Sequence, residues 1–136
     1  MVLAVDIGGT NFSLALVSGD GKMQKRVTRS TDRTGGAGWM IANILKDSRG
    51  LAESNDVTAC GISFGGPVNF EAQSIINSTH VAGWDDVKLP KIFKYELGIP
   101  AVVDNDANMG ALGEFVYGAG KGFRNLVYYN IGTGIG

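Results

Sequence analysis

From Phe12 the chain alternates with a period of two, with Phe12, Leu14 and Leu16 on one face and Ser13, Ala15 and Val17 on the other. That pattern predicts a strand. The apolar run before it, Leu3-Ala4-Val5, predicts a first strand, joined to the second through Asp6-Ile7-Gly8-Gly9-Thr10-Asn11. After a turn at Ser18-Gly19-Asp20-Gly21, Lys22 to Ser30 alternates charge with Met23 and Val27, a third and half-exposed strand. The N-terminus therefore reads as a three-strand meander.

A polar loop from Thr31 to Gly38 follows, and from Trp39 to Ala52 the period changes. Met40, Ile41, Ile44, Leu45, Leu51 and Ala52 recur every 3.6 residues, which predicts a helix with one buried face, broken at Asn55-Asp56. Val57 to Phe64 is apolar on both faces, as a central strand covered on each side should be, and ends in Gly65-Gly66-Pro67. Asn69 to Ile76 predicts a short hairpin, and Asn77-Ser78-Thr79-His80 a polar loop before Trp84, itself a core or a lid residue. Pro90 suits the first turn of a helix with Ile92, Phe93 and Leu97 as its stripe and Gly98 as its end. Ala101-Val102-Val103 is a strand that delivers Asp104-Asn105-Asp106. Ala107 to Phe115 reads as a helix with Ala107, Ala111, Leu112 and Phe115 inward, Tyr117 to Gly122 as a connection, and Leu126 to Ile131 as a last strand. The expected fold is α/β, a mixed sheet that opens with an antiparallel meander and carries helices on both faces.

Composition narrows the function. With 136 residues, 44% of them hydrophobic, the chain is long enough to bury a core. A formal charge of −1 provides no basic field for nucleic acid or an anionic membrane, and no apolar run approaches a membrane span. Without a signal-peptide pattern before Val2, the cytoplasm is the expected location. The single Cys60 lies in an apolar run, so it reads as a buried small side chain, unable to form an internal disulfide or a zinc site. Glycine is the outlier at 21 residues, and many follow strand-like runs, where loops must approach a ligand closely.

The Gly8-Gly9 turn is the first candidate site. Without Cβ atoms, successive N–H groups can point into one concavity and hold a phosphate, while Asp6 at the strand end holds hydrated Mg²⁺ against it. A second strand follows, not a helix, and no Gly-Lys-Ser/Thr is present, which disfavours a dinucleotide fingerprint and a P-loop. An ordinary glycine turn explains the same residues equally well. Asp106 is the candidate for acid–base work, beside an amide (Asn105) and at the start of a helix, where negative charge is favoured. In phosphoryl transfer the acceptor hydroxyl needs orienting more than early deprotonation, and an aspartate that accepts its hydrogen bond is enough. The alternative for Asp106 is a helix N-cap. Asn105 and the amides of Gly65 and Gly66 suit a sugar hydroxyl; His80 reads as a loop histidine. The end of the chain, Tyr129-Asn130-Ile131-Gly132-Thr133-Gly134, resembles Val5-Asp6-Ile7-Gly8-Gly9-Thr10, and a duplicated phosphate hairpin implies a second lobe.

The combination is more specific than its parts. Asp6 to Asn11, Gly61-Ile62-Ser63-Phe64-Gly65-Gly66-Pro67-Val68-Asn69, Val103 to Asn108, Ala111-Leu112-Gly113-Glu114 and Ile131 to Gly136 resemble, in order and rough spacing, the ROK family. That family holds bacterial-type glucokinases, other hexose and N-acetylhexosamine kinases, and sugar-responsive repressors. The resemblance implies the actin-like ATPase (ribonuclease H-like) fold, whose two lobes clasp ATP and substrate. Residues 1–122 would be the N-terminal lobe, and 123–136 the first strand and second phosphate loop of a C-terminal lobe. It further implies that Asp6, Gly8, Gly9, Thr10 and Asn11 form the first phosphate loop, with Asp6 holding Mg²⁺ through water, and Gly132, Thr133 and Gly134 the second. Asp106 would take the proton from the sugar hydroxyl, with Asn105, Gly65, Gly66 and Thr79 at the sugar. The family's zinc segment and adenosine pocket belong to the second lobe, and its repressors carry a helix-turn-helix before the first phosphate loop. This chain begins at that loop, which favours the kinase branch, with ATP, Mg²⁺ and a sugar as ligands and a homodimer as a possible assembly. A sugar-sensing regulator and an ATPase with no sugar acceptor are the alternatives.

Overall fold

The computed structural model describes residues 1–53 and 55–131. Its main sheet has the order β3-β2-β1-β4-β7, built from β1 (Val2–Ile7), β2 (Asn11–Val17), β3 (Met23–Ser30), β4 (Ala59–Phe64) and β7 (Ala101–Asn105). β1, β2 and β3 form the antiparallel meander, whereas β1, β4 and β7 run parallel. A small hairpin, β5 (Val68–Asn69) and β6 (Ser74–Ile75), sits between β4 and β7 in the chain. The helices are α1 (Gly36–Ala52), α2 (Leu89–Leu97) and α3 (Asp106–Val116).

One face of the sheet carries the core. Leu3, Val5, Ile7, Phe12, Leu14, Leu16, Cys60, Ile62, Phe64 and Val103 are buried with Met40, Ile44 and Leu51 of α1 and Leu89 and Phe93 of α2. The expected Trp84 alternatives resolve in favour of the core: it is fully buried, edge-on to Phe64 with ring centroids 5.0 Å apart. One ion pair ties the sheet to α1 and a second joins α1 to α2. Arg29 of β3 grips Asp47 of α1 through Nε at 2.5 Å and a second nitrogen at 2.7 Å, and Arg49 of α1 meets Glu96 of α2 at 2.6 Å. The hydrogen bond and charge of Asp47 hold the Arg29 guanidinium more firmly protonated than usual. No helix among the described residues is long and apolar enough to cross a membrane.

The other face is sparsely covered. α3 lies over β4 and β7, with no buried residue, and Leu112 and Phe115 are 56% and 42% exposed. This corrects the expectation that both point inward; of the four residues expected inward, Ala107 and Ala111 are half-buried. A helical apolar stripe records what can be buried, not whether a neighbour is present. The expected strand from Leu126 to Ile131 is likewise not formed over Leu126 to Asn130 among the described residues, and Val127 and Tyr129 are 74% and 73% exposed. Smaller shifts have tertiary causes. α1 begins at Gly36, three residues ahead of expectation, where the Ala37 N–H bonds to the Ala82 carbonyl at 2.9 Å. β4 begins at Ala59, two residues late, where its pairing with β1 begins at Val2.

Candidate functional site

Parallel strands β1, β4 and β7 bring their carboxyl ends to one edge of the sheet, the place where open α/β sheets bind ligands. Each ends in a segment singled out from the sequence. β1 runs into Gly8-Gly9, β4 into Gly65-Gly66, and β7 into Asp106. The three are packed together. The Gly65 N–H bonds to the Ile7 carbonyl at 2.8 Å, and a Cβ on Gly65 would lie 3.7 Å from both the Asp106 carboxylate and the Gly8 Cα. Asn105 Nδ2 donates to the Gly66 carbonyl at 3.0 Å.

The register between β1 and β4 sets Asp6 opposite Ser63, and the Ser63 hydroxyl donates to Asp6 Oδ1 at 2.9 Å. Both belong to the sparsely covered face. There Asp6, Ser13, Arg26, Ser63, Asp106 and Asn130 line a cleft of about 610 Å³, floored by Ala4, Ala15 and Gly61. Arg26 donates to the Ser13 hydroxyl at 3.1 Å, and Asn130 Nδ2 donates to Asp106 Oδ2 at 3.5 Å. Asp106 is the first residue of α3, so its carboxylate sits at the helix end where anions are favoured. The capping role falls to Asn105, whose Oδ1 accepts the Ala107 N–H at 3.0 Å; Asp106 Oδ1 accepts the same N–H at 2.8 Å and keeps Oδ2 toward the cleft.

The first glycine turn is tighter than a simple anion cradle. The Gly8 N–H is committed to the Asn11 carbonyl at 2.9 Å, closing the hairpin, and Thr31 and Arg33 side chains bind the Gly8 and Gly9 carbonyls. A Cβ on Gly9 would stand 2.8 Å from the Cβ of His80, so the loop carrying Thr79 and His80 rests on the turn. Thr79, Thr10 and Asn11 are exposed there. A Cβ on Gly66 would meet the Phe64 ring at 2.8 Å and the Asn77 carbonyl at 3.2 Å. Gly132, Thr133 and Gly134 lie outside the described residues. Among the described residues no group of three or more His, Cys, Asp or Glu could hold a metal by itself. Sequence reasoning passed over Ser63, Arg26 and Asn130, since only strand register and the return of the chain after α3 bring them to Asp6 and Asp106.

The comparisons with known proteins agree with this architecture. The ROK family description matches residues 2–136. The chain belongs to the ROK family. A glucokinase of Thermotoga maritima is 35% identical over 99% of this chain, and a beta-glucoside kinase of Listeria monocytogenes is 33% identical over 99%. Among solved structures, a ROK family glucokinase from Streptomyces griseus in complex with glucose and AMPPNP superposes with a TM-score of 0.88 at 30% identity, over 99% of this chain. The ROK chain described here spans 43% of the Thermotoga protein, 45% of the Listeria protein and 42% of the Streptomyces chain. The fold is the actin-like ATPase fold of the ROK sugar kinases, seen here as a mixed sheet with helices on both faces.

Proposed function

We propose that this chain is the N-terminal lobe of an ATP-dependent hexose or N-acetylhexosamine kinase, with residues 1–122 forming the lobe and 123–136 opening the second. The observation that carries the reading is that Gly8 and the Asp106 carboxylate both flank Gly65, each 3.7 Å from where a Cβ there would stand, while Asp106 also lines the cleft that holds Asp6. A sugar hydroxyl donated to Asp106 Oδ2 would be aimed at the terminal phosphate of ATP. Phosphoryl transfer has a loose transition state, so orientation of the acceptor oxygen matters more than basicity, and the proton passes to Asp106 late. Asn105, held by Gly66, and the Gly65-Gly66 and Thr79 segments would contact the remaining sugar hydroxyls.

With the Gly8 N–H closing the hairpin, the amides of Gly9 and Thr10 are the ones we assign to phosphate, joined by Asn11 and, from the second turn, Gly132, Thr133 and Gly134. The donor set suits Mg²⁺ that arrives with the nucleotide: one exposed carboxylate, Asp6, steadied by Ser63, is what a largely hydrated ion bound through phosphate requires. When bound, that ion would neutralise charge on the transferred group. Sugar, ATP and Mg²⁺ meet in the cytoplasm, which we take as the place of action. The test is Asp106→Ala in the full-length protein. Turnover of a hexose panel should fall by roughly a thousandfold, within the range for a lost acid–base group, while ATP affinity stays unchanged. Turnover within severalfold of the unsubstituted protein would overturn the assignment.

A further inference from the structure

Among the described residues β7 is the edge strand of the sheet, with β4 on one side and no strand on the other. An edge strand exposes backbone groups and frays more easily than an internal one. This one carries Asn105 at its end and Asp106 immediately after. Gln73, in the turn between β5 and β6, closes that edge. Its Oε1 accepts the Val103 N–H at 2.9 Å, and its Nε2 donates to the Val103 carbonyl at 3.3 Å. A primary amide offers an acceptor and a donor side by side, as a peptide group does, so one side chain replaces one residue of a missing strand.

The turn is shaped to deliver it. Gln73 has φ +52, a left-handed conformation that a residue with a Cβ rarely adopts. Its N–H at 3.3 Å and its Nε2 at 2.6 Å both bind the Phe70 carbonyl. The next outward-facing amide of β7, that of Asn105, is closed by Asp104 Oδ1 at 2.7 Å, and Asn108 Nδ2 holds the same oxygen at 3.0 Å. From Val103 to Asn105 the strand is thus gripped by β4 on one side and by side chains on the other.

We propose that Gln73 is a positioning residue for Asn105 and Asp106, fixing the strand end that presents them to the cleft. The kinetic part of this inference rests on the kinase reading above. A misplacement on the scale of an ångström is enough to slow a positioned reaction severely.

The experiment is Gln73→Gly in the full-length protein, a change that relieves the left-handed backbone while deleting the amide. Hydrogen exchange should quicken by about tenfold at Val103 and also at Asn105 and Ala107, local opening being freed. The sugar KM should rise severalfold with the ATP KM unchanged, and Gln73→Glu, which keeps the acceptor but not the donor, should fall between. Unchanged exchange at Asn105 and Ala107, or an unchanged sugar KM in an active enzyme, overturns the proposal. Should the protein phosphorylate no hexose, the kinase reading fails, and exchange at Asn105 and Ala107 alone decides whether Gln73 positions them.

Discussion

On the side covered by α1 and α2, strands β1, β2 and β4 present Leu3, Val5, Ile7, Phe12, Leu14, Leu16, Ile62 and Phe64, every one buried. On the other side the same strands present Ala4, Asp6, Ser13, Ala15, Gly61 and Ser63, small or polar residues that floor and line the cleft. Each large apolar side chain removed from water contributes about 1.5–3 kcal/mol, so stability resides on the first face. The second keeps polar groups near water, where their hydrogen-bonding capacity stays usable. Period-two alternation therefore separates the two tasks within single strands: consecutive residues of β4 serve folding and chemistry in turn. α3 belongs with the second face, since it buries no side chain yet places Asp106.

Neighbours in β4 give the sharpest way to break this division. Phe64→Ala removes a buried ring packed on Trp84 and should cost about 3–5 kcal/mol in denaturant unfolding. Ser63→Ala, one residue earlier and facing the cleft, loses only the hydrogen bond to Asp6, about 0.5–1.5 kcal/mol. In the full-length protein Ser63→Ala should instead weaken Mg²⁺-dependent turnover. Equal destabilisation by the two substitutions would show that the faces do not differ as argued.

The elements of the buried face were legible in the sequence because burial leaves a period. The meander, α1, α2 and β7 follow the expected alternation or 3.6-residue spacing to within a few residues. Gly98 ends α2 at φ +69, as a terminal glycine should. The cleft face was legible only as residue types. Its geometry depends on the β1–β4 register that sets Asp6 beside Ser63, on His80 folding back over Gly9, and on Gln73 reaching Val103 across thirty residues, none of which alters a local pattern. The inward stripe expected of α3 fails for a physical reason: apolar spacing marks a surface fit for burial, and the partner is a separate matter.

Gly9 tests whether a glycine in the phosphate turn answers to packing as well as to a ligand. Gly9→Ala would set its Cβ 2.8 Å from the His80 Cβ, a contact that no rotamer change relieves. Stability should drop by about 1–3 kcal/mol, the usual cost of overpacking. His80→Gly removes the opposing atom, so the double variant should recover most of the loss, read as a coupling energy in a double-mutant cycle. Purely additive effects would mean that the turn needs its glycine for the backbone alone.

The smallest effect at neutral pH belongs to Cys60, on the buried face and in register with Ala101 of β7. Burial pushes its thiol up to about 12, because a thiolate there would be stripped of water. The folded state therefore holds this proton at pH values where the unfolded chain, with an ordinary thiol near 8.5, has released it. The unfolded state binds fewer protons, so stability falls as pH rises from about 8.5 toward about 12. Denaturant midpoints at pH 8 and pH 10 should separate further for the native chain than for Cys60→Ala, with lysines and tyrosines common to both. At pH 8 a thiol reagent should leave the folded protein unmodified and label it on unfolding, whereas rapid labelling of the folded chain would place Cys60 outside the dry face.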